Sequence, residues 1–296
     1  MLLFLLLGIL LLMLCFPLET FTGASNGLLL WFQTLLPTLL PFLILSNLCI
    51  RTNCVFYISH ALRPFLQKLF RISEVSCYAV FIGFLCGYPM GAKVIADLYL
   101  GKQISKEEGQ YLLSFCNNTS PMFIISYIVM QTFQEKALLF KTMLILVLSP
   151  VICSFLFRRC YHYSCKKDTS NTLPNLWFDF QIVDTAIMNG FETITKIGGY
   201  LILFSIIFTL ARRLPIAFLL PCLEISNGIP CIMNLSSSLI VTYPYVLGLT
   251  SFGGFCAIAQ TKSMIQETDL RIAHYIIQKL ITALVTSLFA FLVIQL

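Results

Sequence analysis

A run of polar side chains just before Pro121 is the feature of this sequence best suited to binding a small solute. It consists of Asn117, Asn118, Thr119 and Ser120, and a long apolar run follows it. Amide and hydroxyl groups bind polar solutes, but in membranes they also join helices through hydrogen bonds. So many adjacent polar residues exceed what helix association needs. The sequence therefore favours a binding site here, formed where a helix breaks.

A second candidate is Glu224, a carboxylate that precedes Ser226 and Asn227 in apolar surroundings. Acidic side chains are costly inside a membrane and mark positions of proton coupling or substrate contact. Pro230 allows the alternative that this segment is an interfacial loop, and the sequence does not decide between the two. We predict Glu224 and Asn227 as substrate contacts, together with the polar run before Pro121.

Two groups of glycine and proline residues interrupt apolar runs, and they are Gly87, Pro89 and Gly91 in the first half and Gly253 and Gly254 in the second. Irregular backbone at membrane depth survives only where protein or a water-filled cavity surrounds it. Glycine also lets two backbones approach closely. We expect these residues to form helical hairpin tips that shape the site through their backbone.

Composition defines the class of protein that must hold these residues. Of the 296 residues, 58% are hydrophobic and 11% are charged, whereas soluble domains have about 25% charged residues. The apolar runs are long and do not alternate, which argues against a membrane barrel. We predict an all-α polytopic membrane protein, surrounded by lipid. The net charge of +6 sits in short loops that set orientation, so we expect no nucleic-acid partner.

We find no nucleophile–base pair, Walker-type loop or metal-ligand set in the sequence. We therefore predict no enzyme activity, no catalytic residue, no cofactor and no metal site. Cys160, His162 and Cys165 form one local cluster, but their spacing matches no structural zinc pattern, and we give a metal site there a prior of roughly 5%.

The chain divides into four predicted parts. They are an N-terminal span and outer loop (1–27), a first repeat with a hairpin over 75–100 and a connecting span (28–157), a basic cytoplasmic loop (158–179), and a second repeat with a hairpin over 235–266 (180–296). Each half of 75–100 has about 12 residues, and a straight span needs about 20. Arg71 before it and Lys102 after it place both ends in the cytoplasm. The charges favour a re-entrant hairpin over a kinked span.

The two halves share a plan of span, broken hairpin and span, in which Gly83–Gly87 corresponds to Gly248–Gly253. The predicted architecture is therefore two inverted repeats with broken helices that meet near the midplane. One observation argues against it, because Arg212 and Arg213 fall on the outer side, contrary to the positive-inside rule.

Three local signals add detail. The stretch 55–70 is amphipathic and basic, and we predict a helix at the membrane interface. Ser105 and Glu108 form a capping box that begins a helix. Lys93 and Asp97 lie four residues apart, which favours a structural ion pair.

Three segments carry a resemblance to a known family: GFLCGYPMGAKVIADLYLGKQISKEEGQYLLSFCNNTSPMFI, LEISNGI and LTSFGGFCAIAQ. With them, the chain resembles the YlbJ family of sporulation integral membrane proteins from about Leu28 to the C-terminus. The resemblance implies an inner-membrane protein of spore-forming bacteria with a Gate-domain-like fold. It also implies kinship to nucleoside-recognition (Gate) domain proteins, concentrative nucleoside transporters and the gate domain of ferrous-iron permeases. The chain lacks the GTPase motif that accompanies an iron permease.

Two hypotheses follow. The first is a secondary transporter or permease for a small polar solute, with nucleosides as one class, that works by alternating access coupled to protons or sodium. The second is a non-transporting membrane scaffold factor in spore-envelope assembly. Either is compatible with a homo-oligomer, and the sequence alone does not choose between them.

Overall fold

The protein is built from helices throughout the residues described by its computed structural model, which are 2–161, 175–212, 219–234, 236 and 238–295. The helices are α1 (Leu2–Cys15), α2 (Pro17–Leu30), α3 (Leu36–Arg51), α4 (Cys54–Phe70), α5 (Ser76–Cys86), α6 (Met90–Leu100), α7 (Lys106–Cys116), α8 (Pro121–Phe123), α9 (Leu138–Phe157), α10 (Phe180–Ala211), α11 (Ile225–Met233), α12 (Leu239–Phe252), α13 (Gly254–Met264) and α14 (Ile272–Ile294). Two π-helical segments, Trp31–Leu35 and Ile124–Phe133, follow α2 and α8, and short 3-10 turns lie at Arg158–Cys160 and Leu220–Cys222.

Six helical stretches in the described part of the chain are long and apolar enough to cross a membrane. They are Pro17–Arg51, Lys106–Phe133, Leu138–Cys160, Phe180–Ala211, Leu239–Met264 and Ile272–Ile294. This confirms the prediction of an all-α, multi-pass membrane protein.

The N-terminal region differs from the prediction, because residues 17–27 are helical and do not form an outer loop. Pro17 stands at the start of α2, where its missing N–H costs no hydrogen bond. The helix then continues through the π-helical segment into α3, so that Pro17–Arg51 forms one stretch of 35 residues. The predicted span beginning at Leu28 is the second half of this stretch.

α2 packs closely along α10 through two small residues four apart. A Cβ atom added to Gly23 would lie 2.8 Å from the Ile206 Cα, and one added to Gly27 would lie 2.8 Å from the Ile202 Cα. Small residues at this spacing let membrane helices approach backbone to backbone. Nearby, the indole of Trp31 donates a 2.8 Å hydrogen bond to the carbonyl of Ile194. α2, α3 and α10 therefore form one packed unit.

α5 and α6 pack side by side and are joined by a tight turn at Gly87–Pro89, which we call the hairpin tip. Gly87 has a φ of 79°, a value that glycine adopts without strain. This agrees with a hairpin over 75–100, while its re-entry into one side of the membrane stays a prediction.

Two of the candidate spans are interrupted. Residues 117–120, which we call the first break, separate α7 from α8, and Gly253–Gly254, the second break, separates α12 from α13. The predicted hairpin over 235–266 is therefore wrong in form: Leu239–Met264 is a single interrupted stretch of 26 residues, and α12 and α13 do not pack side by side. The two glycines, with φ values of 84° and 78°, bend the chain without reversing it.

The local signals are confirmed in part, because the location of α4 at the membrane interface stays a prediction. α4 spans the amphipathic stretch, and Lys93 and Asp97 form a 2.6 Å ion pair. Ser105 caps α7 by accepting from the Glu108 N–H. The reciprocal half of the capping box is not made, because the Glu108 carboxylate accepts from the Ser73 N–H (2.6 Å) and the Ser76 hydroxyl (2.7 Å) instead.

Some predictions fall partly or wholly outside the described residues. Most of the predicted cytoplasmic loop, with His162 and Cys165, lies there, and so does Arg213. Arg212 is described, and its guanidinium lies 5.4 Å from the centre of the Phe208 ring. Among the described residues, no three His, Cys, Asp or Glu side chains are grouped to hold a metal ion.

Candidate functional site

The hairpin formed by α5 and α6 lies directly against the first break, with glycines at the contact. A Cβ atom added to Gly83 would lie 2.0 Å from the Cys116 carbonyl oxygen, and one added to Gly91 would lie 2.5 Å from the same atom. At the hairpin tip, Tyr88 N–H donates a 2.6 Å hydrogen bond to the Asn118 carbonyl. The glycines of the resemblance segment therefore permit a backbone contact that no larger residue allows.

The side chain of Asn117 joins three helices at the first break. Its Oδ1 accepts from the Ala92 N–H of α6 (3.2 Å). Its Nδ2 donates to the Thr261 hydroxyl of α13 (2.8 Å) and to the Tyr275 hydroxyl of α14 (2.9 Å). Asn117 is 1% exposed, so in this conformation its amide is fully used in holding the break together.

The side chains of the other three residues of the first break bond to other partners than Asn117 does. The Asn118 Nδ2 turns back to the Phe115 carbonyl (2.5 Å) and closes the end of α7. The Thr119 hydroxyl donates to the carbonyl of Thr250 (2.7 Å) in the last turn of α12. The Ser120 hydroxyl caps α8 by accepting from the Phe123 N–H. Thr119 thus connects the first break to the helix that leads into the second.

Glu224 lies at the N-terminus of α11 and next to the second break. Its carboxylate accepts from the Ser226 N–H (2.9 Å), the Asn227 N–H (2.8 Å) and the Asn227 Nδ2 (2.8 Å). The Leu223 carbonyl accepts from the Cys256 N–H (3.0 Å) just after the second break. Glu224 is 3% exposed, so protein encloses its carboxylate. Burial raises the pKa of the Glu224 carboxyl above its usual range, and its three N–H donors oppose part of that rise.

Both breaks open onto one cavity of about 60 Å³. Apolar side chains of the Pro17–Arg51 stretch and of α10 form one wall. The polar residues that line the cavity are Thr34, Thr38, Tyr88, Thr119, Ser120, Ser126, Glu224, Ser226 and Gln260. A cavity of this size holds a few water molecules or a small ion. A nucleoside-sized solute requires the cavity to widen.

The structure divides the predicted contact residues into two groups. Thr119, Ser120 and Glu224 line the cavity. Asn117, Asn118 and Asn227 lie behind its wall, and the Asn227 amide bridges Glu224 to the Ser205 hydroxyl of α10 (3.1 Å). Substrate contact by any of the six stays a prediction.

The glycine and proline residues predicted to shape the site through their backbone also fall into two groups, at the cavity and behind it. Gly253 lines the cavity, and the Tyr88 ring lies 3.4 Å from where its Cβ would be. A Cβ on Gly254 would lie 3.0 Å from the Cys222 carbonyl. Gly87, Pro89 and Gly91 form the hairpin tip and the first turn of α6 behind the cavity.

Three polar residues of the site were missed by reasoning from the sequence. Gln260 faces the cavity, Tyr275 bonds to Asn117, and Lys279 is 1% exposed in α14. The Lys279 ammonium donates to the Asn117 carbonyl and to the Asn118 Oδ1, at 3.2 Å each. A signal for Lys279 was present, because a lysine inside an apolar span is a candidate functional residue.

Replacing Asn117 with alanine is expected to destabilise the protein by about 2–3 kcal/mol, because it leaves the buried Ala92 N–H without an acceptor. Thermal unfolding of the purified protein in detergent measures this loss. The matched control is Asn189→Ala, at a half-exposed position of α10, for which we expect little change. An Asn117→Ala variant that unfolds at the wild-type temperature would contradict a structural role for this amide.

The fold and the site together define a multi-pass, all-helical membrane protein with two interrupted spans around a buried polar centre. The chain is similar to the sporulation integral membrane protein YlbJ of Bacillus subtilis (strain 168), with 26% identity over 93% of this chain and 78% of that protein. This similarity confirms the resemblance to the YlbJ family. No family model matches the chain, and no solved structure matches it.

Proposed function

We propose that this protein is a secondary transporter for a small polar solute and acts in the inner membrane during spore formation. The observation that carries the proposal is the meeting of two interrupted spans around one cavity that also holds a buried carboxylate. Broken helices at a shared polar centre are a recurring plan of transporter binding sites. The part in spore formation rests on the similarity to the sporulation integral membrane protein YlbJ of Bacillus subtilis.

The residues around the cavity fall into those that contact the solute and those that hold the two breaks in place. Ser120, Glu224 and Gln260 offer hydroxyl, carboxylate and amide groups to a solute, and Thr119 and Asn117 hold the breaks in register. Solutes that combine hydrogen-bond donors with a small apolar face match these groups, and nucleosides are one such class. The small volume implies that a nucleoside-sized solute needs a wider site, and alternating access requires α3 or α10 to move away from the breaks.

The first test is uptake into proteoliposomes of labelled nucleosides and small polar metabolites, with and without proton and sodium gradients. The informative variant is Gln260→Leu, since leucine keeps the approximate size and removes the polar group. Loss of one neutral hydrogen bond to the solute predicts a reduction in kcat/KM of roughly twofold to tenfold. Gln131→Leu, at an exposed position, is the matched control and should leave uptake unchanged.

A double Asn117→Ala, Asn118→Ala variant is less suitable, because both amides hold helices together and the variant would lose activity by unfolding. If folded wild-type protein takes up none of the solutes under any gradient, the transporter proposal fails. The scaffold factor in spore-envelope assembly would then be the better explanation, and capture of partner proteins would follow.

A further inference from the structure

Lys279 is a buried cation without a carboxylate partner in the described part of the protein. It lies one turn after Tyr275 in α14 and is 1% exposed. Its two hydrogen-bond partners are oxygens of the first break: the Asn117 carbonyl and the Asn118 Oδ1. Among the described residues, no carboxylate oxygen lies within 4.0 Å of its ammonium. In the described part of the protein, dipoles and not an ion pair therefore face this amino group.

The Asn117 carbonyl and the Asn118 Oδ1 lie at the C-terminal end of α7, where a cation is favoured. α7 ends at Cys116, so the Asn117 carbonyl is released from helical hydrogen bonding. The C-terminal end of a helix also carries the negative end of its dipole. In interrupted transporter helices, released carbonyls and helix C-terminal ends of this kind coordinate the coupling cation. In this protein an ammonium group attached to α14 occupies such a position.

We propose that the Lys279 ammonium is a tethered cation that fills a sodium-type coupling site at the first break, so that solute transport by this protein needs no sodium. The inference rests on the proposed function as far as coupling is concerned. Occupation of a cation site by Lys279 can be tested separately, because it affects stability whether or not the protein transports.

The side chain provides its own chemical test. Lys279→Ala removes three methylene groups and the ammonium, which is the size of an n-propylammonium ion. It leaves the Asn117 carbonyl and the Asn118 Oδ1 without their cation in a buried space. A small alkylammonium ion supplies both the missing volume and the missing charge, whereas 1-propanol supplies the volume and a hydroxyl donor but no charge.

The experiment is thermal unfolding of the purified full-length protein in detergent, with equal concentrations of choline chloride, sodium chloride, n-propylammonium chloride or 1-propanol. We expect Lys279→Ala to unfold several degrees below wild type and to regain most of this loss with n-propylammonium but not with 1-propanol. The matched control is Lys262→Ala, which removes an exposed lysine of α13 and should respond to none of the additives. Wild-type protein should unfold at the same temperature in sodium chloride as in choline chloride.

Two results would overturn the proposal: recovery with 1-propanol equal to that with n-propylammonium, or no recovery with either. If Lys279→Ala does not fold, Lys279→Met, which keeps the hydrocarbon chain, is compared with wild type. If this variant unfolds at the wild-type temperature, the site does not require a cation and the proposal is wrong. Independently of any variant, stabilisation of wild-type protein by sodium over choline would overturn it, as would uptake that requires sodium. Absence of all uptake would defeat the transporter proposal, while the additive series would still decide whether Lys279 fills a cation site.

Discussion

Replacing Gly83 with alanine is expected to destabilise the protein by about 3 kcal/mol or more, because overpacking against rigid backbone has no easy relief. The new Cβ would lie 2.0 Å from the carbonyl oxygen of Cys116. That oxygen belongs to the last turn of α7 and cannot move without displacing the first break. Alanine is otherwise a better helix former than glycine by about 1 kcal/mol, so a loss of stability must come from this contact.

Thermal unfolding in detergent measures the effect, and uptake should fall with the amount of folded protein. Gly199→Ala is the matched control, since it changes an exposed helical glycine that has no atom within 4 Å of its added Cβ. We expect this control to be neutral or slightly stabilising. Equal unfolding temperatures for Gly83→Ala and Gly199→Ala would show that the hairpin does not lie against the first break as described.

Replacing Glu224 with glutamine is expected to reduce uptake about tenfold to a hundredfold, because a hydrogen bond to a charged group contributes about 1.5–3 kcal/mol. Glutamine is nearly the same size and keeps one acceptor oxygen, so α11 retains part of its cap. The charge is lost, and with it a group able to gain or release a proton during the cycle. If Glu224 couples transport to protons, the remaining uptake should no longer depend on pH.

Uptake by Glu224→Gln is measured across a pH series beside wild type and beside Glu192→Gln. Glu192 is a matched control, because its side chain is 65% exposed and pairs with Lys196 outside the cavity. A variant that takes up solute with the full pH dependence of wild type would exclude Glu224 as the coupling group. Normal uptake and normal pH dependence together would leave the carboxylate only as the cap of α11.

Much of the fold was predictable, because hydrophobic length and capping signals act locally. The amphipathic helix α4, the Lys93–Asp97 ion pair and the cap at Ser105 all follow from short stretches of sequence. The outer loop predicted within residues 1–27 was wrong, because residues 17–27 belong to α2, which begins at Pro17. A proline is equally consistent with the first residue of a helix.

The second hairpin was wrong for a related reason. Glycines in a sequence indicate where a chain can bend, but they do not predict whether the two flanking helices will reverse or continue. Gly83–Gly87 lies before a turn that reverses the chain, whereas Gly253–Gly254 interrupts a helix that continues. In length the interrupted stretch Leu239–Met264, with 26 residues, matches Lys106–Phe133, with 28. If the chain contains a repeat, the first break therefore corresponds to the second break, and the hairpin of α5 and α6 has no counterpart in the described part of the second half.

The site was predictable in position but not in detail. Polarity within apolar sequence located both the first break and Glu224. In a regular helix, the period of 3.6 residues predicts which face each side chain occupies. Irregular backbone has no such period, so the direction of its side chains cannot be predicted from spacing. The sequence therefore could not separate Thr119 and Ser120, which line the cavity, from Asn117, whose amide faces three helices. Contacts with Thr261 and Tyr275 depend on helices more than 140 residues further along the chain.

The packing of α2 against α10 has a consequence for the order of events during synthesis. Trp31 and its partner Ile194 are 163 residues apart. At a synthesis rate of about 5–20 residues per second, roughly 10–30 s pass between the appearance of the two. Until then, the Gly23 and Gly27 face of α2 lacks the helix against which it packs. The N-terminal helices are therefore made before their partner exists, and the unit that frames the cavity is completed only in the second half of synthesis.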